Sequence, residues 1–403
     1  MVKLAMIGAG GYAYNLIKWM WGIPDKIKVV AVVSNPVWKD TGRADCQAKG
    51  VSIYDDVDQL IKNVKGSVDA IYIPTPIHTH FALAKKCIDA GFNICLEKPP
   101  VPVVQEYDEL VEYVAKHKLS YRIPIGFQSL STDIVQELKK RVVEGRYGKV
   151  KRISAMAGWP RLDTYYTRSS WIGRIKVDGG WVLDGTINNP LAHMLANELY
   201  LASAEPGKMA QPVSVHAELY HAHNIDGEDT SSVRVITDKG VEILFNASLC
   251  SDERMDPMIV IECEKAKIEY FNYKEVTITA SDGSVEKMAS DDEPRTNMLK
   301  IMADSFTSGQ PYIAPLEMCK PFTLSVNGAF ESSGKVHSID KKYVDRFEQE
   351  GDVKTVIRDI DNILKTAQAK GKLFSEIGAE WAIKTKKFDL KGYKKFPTVA
   401  CFD

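Results

Sequence analysis

The sequence predicts an α/β protein with two domains: a doubly wound parallel sheet, followed by an α+β domain whose open sheet is mostly antiparallel. Over residues 1–125, short β-branched runs alternate with helical stretches, which is typical of a parallel sheet. Over residues 149–280, strand-like runs follow one another with hairpin-type connections such as residues 237–240. We predict domains at 1–125 and 126–340, and a C-terminal helix and tail, 341–403, that pack back on the body.

Apolar residues at strand and helix spacing define the elements of the first domain. The predicted strands are 2–7, 28–34, 68–74, 93–97 and 119–126. The predicted helices are 12–20, 55–62, 80–90 and 103–116. In such a sheet, ligands bind beyond the carboxyl ends of the strands, so the loops there are where chemistry is expected.

The second domain contains a series of strand-like runs with few helices between them. The predicted strands are 149–159, 213–223, 231–236, 241–249, 258–262, 267–271 and 276–280. Residues 293–339 have the pattern of two helices, and residues 351–382 that of one long amphipathic helix. The basic run 384–395 is interleaved with an aspartate, which favours a solvated tail that wraps the first domain over a nucleic-acid patch.

Composition excludes several classes of function. The chain has 403 residues, with 52 Lys plus Arg against 53 Asp plus Glu, so no overall positive field holds nucleic acid or an anionic membrane. No apolar run approaches the roughly 20 residues needed to cross a bilayer, which predicts a soluble protein. A small molecule is therefore the expected partner.

Seven scattered cysteines without a CxxC pair disfavour a disulfide framework and a zinc site, and a reducing cytoplasm fits best. Although one lysine precedes an N-terminal apolar stretch, a glycine cluster breaks that stretch after six residues. This pattern indicates a strand, a turn and a helix rather than a signal peptide.

The loop after the first predicted strand has the pattern GxGxxA. Gly8 permits a tight turn, Gly10 lets a pyrophosphate approach the backbone, and Ala13 allows close packing of helix on strand. The helix that begins near Gly11 and Tyr12 offers its N-terminal amides to phosphates. We interpret this motif as part of a dinucleotide-binding Rossmann domain, and the alternative is a glycine-rich turn that binds no ligand.

The second predicted strand ends without the acid that usually binds the ribose hydroxyls of NAD. Ser34 and Asn35 stand there instead, with Lys39 and Arg43 nearby. Because a carboxylate would repel a 2'-phosphate, its absence permits NADP and mildly favours it over NAD. The alternative is that Lys39 and Arg43 are solvated helix residues.

Further motifs resemble a known family. TPxxxH at residues 75–80 and AGxxxxxEKP at residues 90–99 follow the glycine motif, and Trp171, Arg174, Gly179, Gly180 and Asp184 form a later WR…GG…D segment. This order resembles the oxidoreductases grouped with glucose-fructose oxidoreductase, inositol dehydrogenase and the MocA rhizopine catabolism protein. The resemblance covers roughly residues 1–340. It implies an NAD- or NADP-dependent enzyme of carbohydrate metabolism.

Lys98 is the candidate catalytic residue. A lysine at the end of a parallel strand, restricted by two prolines, could hydrogen-bond a substrate hydroxyl and stabilise a developing alkoxide, with its pKa lowered by desolvation. A surface lysine in a turn is the alternative, and the resemblance implies the catalytic role. Glu97 is expected to position Lys98 or to contact the cofactor ribose. The resemblance also implies cofactor contacts from Thr75, Pro76 and His80.

The second chemical segment departs from the family pattern. Family members often carry DxxxH here, with the histidine as general base, whereas this chain has Asp184 and then Asn188, and an amide takes up no proton at neutral pH. Lys98 could act alone with Asp184 orienting it and Asn188 binding a sugar hydroxyl. His193 could instead be the base, unless it is a buried helix histidine. The third possibility is loss of dehydrogenase activity.

The remaining expectations concern substrate, metal and assembly. Tyr165, Tyr166 and Arg168 precede Trp171 and Arg174 in a loop that could close over a sugar, although ordinary loop packing explains it equally well. No metal is expected, since nothing completes a ligand set around His216, His221 and His223. The resemblance implies an open sheet whose free face packs against another subunit, hence a homodimer or homotetramer.

The expected function is hydride transfer between a nicotinamide and a sugar, sugar derivative or cyclitol. One rival is an NAD-using glycosidase or eliminase that oxidises its sugar transiently. The other rival is a sensor that binds dinucleotide or sugar without turnover.

Overall fold

The structure, a computed structural model, describes residues 1–38, 40–117, 119, 122–398 and 402. The chain divides into two compact units. The first unit comprises residues 1–101, 106–132 and 292–319, and the second comprises residues 102–105, 133–291 and 320–403. Residues 292–319, which the sequence assigns to the second domain, are therefore part of the first unit. No helix among the described residues is long and apolar enough to span a bilayer.

The helices and strands are numbered along the chain. The helices are α1 (Gly11–Trp21), α2 (Arg43–Ala48), α3 (Val57–Val64), α4 (His80–Asp89), α5 (Val104–His117), α6 (Asp133–Val143), α7 (Asp163–Thr167), α8 (Ala192–Leu201), α9 (Pro294–Ser308), α10 (Lys320–Ser333) and α11 (Ile360–Lys370). The strands are β1 (Val2–Ile7), β2 (Ile27–Val33), β3 (Ser52–Tyr54), β4 (Ala70–Ile73), β5 (Ile94–Leu96), β6 (Val150–Gly158), β7 (Lys176–Val177), β8 (Gly180–Trp181), β9 (Pro212–His221), β10 (Thr230–Thr237), β11 (Glu242–Ser248), β12 (Met255–Cys263), β13 (Ala266–Phe271), β14 (Glu275–Ala280), β15 (Val285–Ala289), β16 (His337–Ser338), β17 (Val344–Gln349), β18 (Asp352–Ile357) and β19 (Phe388–Asp389).

The first unit contains the predicted parallel sheet. Its strand order is β3-β2-β1-β4-β5, and every neighbouring pair is parallel. The order reverses between β1 and β4, so the loops after these strands meet at the switch point where ligands bind in such folds. Fully buried side chains of β1 and α1, such as Leu4, Met6 and Leu16, form the core beside it.

Two details of the first unit differ from the sequence prediction. The short elements α2 and β3 were not predicted, because neither shows a clear apolar period. Of the predicted strand 119–126, residues 120 and 121 lie outside the described residues. The remainder makes two isolated bridges, a parallel one between Leu96 and Ile125 and an antiparallel one between Pro124 and Pro315.

The second unit contains a large sheet that is mostly antiparallel, as predicted. Its order is β15-β14-β13-β12-β6-β11-β10-β9-β16, with β19 also paired to β9. The pairs β6–β11 and β9–β16 are parallel, whereas the other pairs are antiparallel. Helix α8 packs on β6, β11 and β12, and α10 packs on β9.

The prediction of one long helix over 351–382 is wrong. Residues 352–357 form β18, which pairs with β17, residues 360–370 form an α-helix, and residues 375–377 form a short 3-10 helix. The β-branched residues of β18 favour a strand. Gly371 ends α11 in the left-handed region with φ of 63°, which glycine adopts without strain. The tail pairs within the second unit through β19.

The expected free sheet face is partly covered by the chain itself. Helix α11 packs on β6 and β11, and its residues Ile360, Leu364 and Ala367 join a buried cluster that Met156 of β6 contacts. Since successive side chains of a strand point to opposite faces, the fully buried Ala155 lies on the other face. Both faces of β6 are therefore covered within the second unit.

Candidate active site

The glycine turn after β1 has the geometry that the sequence predicts. Gly8 donates its amide to the Val33 carbonyl at 3.0 Å, has φ of 118°, and would place a Cβ 3.4 Å from that of Ala13. Helix α1 then begins at Gly11 with no side-chain cap and no acidic residue in its first turn. These amides and the helix dipole can receive a phosphate, so the turn fits a dinucleotide.

A carboxylate that the sequence analysis overlooked lies against this turn. An Oδ2 of Asp40 is 3.4 Å from the Ala9 amide nitrogen, and a Cβ on Gly10 would lie 2.5 Å from Asp40 Oδ1. The chain is held there because Gly42 donates its amide to the Ala9 carbonyl at 2.9 Å. The sequence prediction considered an acid only at the end of β2, whereas the fold places the Asp40 carboxylate of the following loop beside the glycine turn.

Two of the residues that favoured NADP, Asn35 and Arg43, have other partners. Ser34 is fully buried, and the Asn35 Oδ1 accepts the Val37 amide at 2.9 Å. Arg43 donates to the Ser34 carbonyl and lies 3.8 Å from a carboxylate oxygen of Asp55. Lys39 lies outside the described residues. The basis for the NADP preference is therefore not supported by the described side chains.

His80 joins the loops after β4 and β5. Its ring is fully buried, with Nε2 2.8 Å from the Thr75 carbonyl and Nδ1 3.0 Å from the Pro99 carbonyl. Burial lowers the pKa of His80 to about 4, so the neutral ring donates to one carbonyl only. The ring has no exposed nitrogen for direct cofactor contact, contrary to expectation, and instead fixes the loop that carries Thr75 against the loop that follows Lys98.

Glu97 fixes the backbone of Lys98 from a buried position. Its Oε2 accepts the Lys98 amide at 3.0 Å, and its Oε1 accepts the Tyr72 hydroxyl at 2.9 Å. A Cβ on Gly126 would lie 2.5 Å from Glu97 Oε1, so only glycine leaves room for the carboxyl group. Burial raises the pKa of Glu97 to about 7. Lys98 itself is half-buried at the carboxyl end of β5.

Tyr12 and Pro76 complete the predicted residues of the first unit. The Tyr12 hydroxyl donates to Gln128 Oε1 at 3.0 Å, and burial raises its pKa well above the ordinary value. Pro76 begins the turn in which the Thr79 hydroxyl donates to the Pro76 carbonyl at 2.7 Å. Tyr12 lies in the first turn of α1 and Pro76 in the loop after β4, at the end of the sheet where a dinucleotide is expected.

In the second unit, Asp184 is buried and held by two donors. Its Oδ2 accepts the Gly173 amide at 2.6 Å, and its Oδ1 accepts the Asn189 side-chain amide at 2.8 Å. Asn188 is also buried and donates to the Val182 carbonyl at 3.1 Å. The segment between them forms turns rather than a helix. Helix α8 begins only at Ala192, after Pro190.

A second buried acid, Glu228, forms hydrogen bonds with the turn that follows Asp184. Its carboxylate accepts the Thr186 hydroxyl at 2.6 Å and the Ile187 amide at 3.0 Å, and burial raises its pKa to about 8. Gly185 leaves the space for it, since a Cβ there would lie 2.3 Å from Glu228 Oε1. Sequence analysis missed Glu228 and Asn189. The only signal for Glu228 is an acidic pair, residues 228–229, at the start of β10.

The remaining predicted residues lie in different surroundings. His193 is the second residue of α8, half-buried, and its carbonyl accepts the Asn197 side-chain amide at 2.7 Å. Arg174 is exposed and forms an ion pair with Asp226 at 2.9 Å, while the Trp171 carbonyl accepts the Arg174 amide. These contacts fix the loop before Asp184.

The histidines considered for metal binding do not come together. His216 Nε2 faces the Thr385 carbonyl, and His221 Nδ1 faces the His223 carbonyl. Of the three, only His223 is near other ligand types, because its Nδ1 lies 2.9 Å from Asp229 Oδ2 and 3.3 Å from Cys250 Sγ. Hydrogen bonds account for these contacts, since Asp229 also accepts two backbone amides.

Tyr165 and Tyr166 of α7 stand beside Asp184 and His223. The two tyrosine rings are 5.1 Å apart, and the Tyr166 ring is 4.5 Å from that of His223. Burial raises the pKa of Tyr165, and the negative charge of Asp184 adds to that rise. Of the residues predicted to contact a substrate, Tyr165 and Asp184 are therefore brought together by the fold.

Comparisons with known proteins agree with this geometry. The model of an oxidoreductase family with an NAD-binding Rossmann fold matches residues 2–123, and the GFO/IDH/MocA C-terminal domain matches residues 135–269. An inositol 2-dehydrogenase of Rhizobium meliloti is 23% identical over 290 residues, which is 70% of this chain and 79% of that protein. An uncharacterized oxidoreductase of Schizosaccharomyces pombe is 24% identical over 151 residues, 37% of this chain, and the chain spans only 40% of its length.

A solved structure with the same fold is the WlbA dehydrogenase of Bordetella pertussis in complex with NADH and UDP-GlcNAcA. It superposes with a TM-score of 0.68 at 17% identity, covering 82% of this chain and 96% of that chain. Since both family models match in order along the sequence, the chain belongs to the GFO/IDH/MocA family of NAD-binding oxidoreductases.

Proposed function

We propose that this protein transfers a hydride between a nicotinamide dinucleotide and a hydroxyl or carbonyl carbon of a sugar, sugar derivative or cyclitol. The observation that carries the proposal is Lys98 at the end of β5, with its backbone fixed by buried Glu97. The uncapped start of α1 at the glycine turn supports dinucleotide binding. The named relative that acts on inositol supports a polyhydroxylated substrate.

The chemistry divides between the cofactor and the chain. A bound nicotinamide would supply the hydride acceptor or donor. In oxidation, Lys98 would receive the hydrogen bond of the reacting hydroxyl and assist removal of its proton. The amide of Asn188 donates to the Val182 carbonyl and takes up no proton, which favours Lys98 as the proton-handling group. His193 remains the alternative base.

For the cofactor we propose NAD rather than NADP. The Asp40 carboxylate comes from the loop after β2 and lies beside the glycine turn. A carboxylate in this loop would accept a hydroxyl of the ribose and would repel a 2'-phosphate. Asp40 would thus take the place of the acid missing from the end of β2.

The test uses intact purified protein and three measurements. Released dinucleotide is identified after denaturation, absorbance is followed with NAD and a panel of sugars and cyclitols, and products are analysed by mass spectrometry. Reduction of NAD by at least one polyol, lost in Lys98→Met while NAD still binds, supports the proposal. Product without net nicotinamide reduction would indicate transient oxidation and return of the hydride. Binding of NAD without any turnover would indicate a sensor and overturn the proposal.

A further inference from the structure

Two arginines lie against one aromatic ring beside Asp184 in the second unit. The guanidinium carbon of Arg168 is 4.1 Å from the centroid of the Tyr165 ring, and that of Arg161 is 4.9 Å from it. Arg161 also lies 5.8 Å from the centroid of Trp159. The two positive charges are therefore held at one place by an aromatic support, as arginine favours.

Neither guanidinium forms an ion pair with any carboxylate among the described residues. Each neighbouring carboxylate already has a donor of its own: Asp163 with Arg346, Asp352 with Thr164, Asp256 with Arg254, and Asp184 with Gly173 and Asn189. Both guanidinium groups therefore keep N–H donors beside Tyr165 that no carboxylate of the described residues occupies.

Buried polar atoms around the same rings also have no hydrogen-bond partner in the described part of the chain. They are Arg161 Nε and the Tyr166 hydroxyl. Buried donors are almost always paired in folded proteins, so unpaired ones call for an acceptor from outside the chain. Two guanidinium groups without an ion pair at this place favour an anion as that acceptor.

We propose that Arg161, Arg168 and Tyr166 form a subsite for an anionic group of the substrate, a carboxylate or a phosphate, so that the physiological substrate is an acidic or phosphorylated sugar. Arginine is the residue that matches the planar, two-oxygen geometry of such anions. The inference rests on the proposed function for the sugar part of the ligand. The subsite itself can be tested without turnover.

The test compares three probes of similar size on the intact protein by isothermal titration calorimetry: D-glucose, D-glucuronate and D-glucose 6-phosphate. One or both anions should bind at least about tenfold more tightly than glucose, because charge-assisted hydrogen bonds are about twice as strong as neutral ones. A preference for glucuronate identifies a carboxylate site, and a preference for the phosphate ester identifies a phosphate site. Equal affinity for all three, or binding of none, would overturn the subsite.

Substitutions locate the effect. Arg161→Gln and Arg168→Gln should each lose most of the preference for the anion and keep the affinity for glucose. Arg168→Lys should keep part of the preference for the anion, because the positive charge is retained. Arg254→Gln is the matched control, since Arg254 lies 5.0 Å from the centroid of Trp159 but is paired with Asp256 at 2.7 Å. Equal losses in the control and the two variants would show that the effect is not local.

Turnover separates this inference from the proposed function. If neutral sugars reduce NAD and the arginine variants are unchanged, the subsite fails and the proposed function stands. If the anions bind through Arg161 and Arg168 but no sugar ever reduces NAD, the subsite stands and the proposed function fails.

Discussion

At the scale of single residues, Glu97 couples the stability of the first unit to pH. Its carboxyl group is buried at the end of β5, and burial raises its pKa to about 7. The folded state therefore holds the proton more tightly than the unfolded chain. The stability from the neutral carboxyl is full below the ordinary glutamate pKa and is lost as the pH rises through about 7.

Glu97→Gln removes this titration and keeps an acceptor for the Lys98 amide. Relative to wild type, the free energy of unfolding of the variant should rise by up to about 3 kcal/mol between about pH 5 and about pH 8. Denaturant titrations at the two pH values measure the change. Glu112→Gln, at an exposed position of α5, serves as control and should show no such difference. If the difference in unfolding free energy between Glu97→Gln and wild type is the same at both pH values, the Glu97 carboxyl group titrates normally.

Asp40 carries the predicted cofactor choice. Asp40→Ser should raise the kcat/KM with NADP relative to NAD by roughly tenfold or more, because a repulsive charge leaves the glycine turn. Asp58→Ser is a suitable comparison, since Asp58 is paired with Lys86 on the surface. If wild type already prefers NADP, or the substitution leaves the ratio unchanged, Asp40 does not select the cofactor.

At the scale of elements, α8 is fixed near both ends by buried titratable residues. Before its start, Glu228 holds the turn from Thr186 to Ile187. At its end, Lys139 of α6 donates to the carbonyls of Tyr200, Ser203 and Lys208 at 2.5 to 3.0 Å. Tyr200 is in the last turn of α8, and Ser203 and Lys208 lie in the loop that follows, so Lys139 links the helix C-terminus to that loop. The helix that follows Asp184 and Asn188 is therefore held in register.

Lys139→Met should destabilise the second unit by about 3 kcal/mol or more, because three carbonyls lose a charged donor in a buried place. Thermal unfolding measures the loss. Lys140→Met, at the next and exposed position of the same helix, should change stability by less than about 0.5 kcal/mol. Similar melting temperatures for the two variants would contradict the assigned cap.

His80 links two loops, the one after β4 and the one after β5. His80→Ala should lower kcat with little change in NAD affinity, because the loop after Lys98 loses its link to Thr75. His80→Gln should restore part of the rate, since an amide can still donate to one carbonyl. Single-turnover rates and NAD titrations separate the two effects. A loss of NAD affinity without loss of rate would instead indicate direct cofactor contact.

Sequence patterns predicted the elements with clear periods and missed those without them. The strands and helices of the parallel sheet follow from alternating β-branched and amphipathic runs, and the glycine turn and Lys98 follow from their motifs. Asp40, Glu228 and Arg161 were not assigned a role, because their proximity to the site residues depends on loops and on strand pairing distant in sequence. β18 was read as helix because its strand partner, β17, carries little apolar pattern.

At the scale of the whole molecule, the C-terminal segment completes the core of the second unit. Leu364 of α11 is fully buried against the face of β6 and β11. Leu364→Ala should cost about 2 to 5 kcal/mol of stability through the cavity it leaves. Lys365→Ala, the neighbouring exposed position, is the control. A cost below about 1 kcal/mol would mean that α11 contributes little to this core.

The expected homodimer or homotetramer remains a prediction. Because α11 covers β6 and β11, a second copy would have to use other surfaces than the sheet face that the resemblance implied. Light scattering at micromolar concentration tests the assembly state. A clean monomer would contradict the expectation.

The central claim is that Lys98 handles the proton of a hydride transfer between a nicotinamide and a polyol. The most direct measurement is the oxidation state of the dinucleotide recovered from intact protein after incubation with oxidised NAD and a mixed pool of sugars, sugar acids, sugar phosphates and cyclitols. Reduced dinucleotide should accumulate with wild type and be lower by at least about a hundredfold with Lys98→Met, while both bind NAD alike. Equal accumulation in the two proteins would remove Lys98 from the mechanism. No reduction and no altered sugar with either protein would contradict the oxidoreductase activity itself.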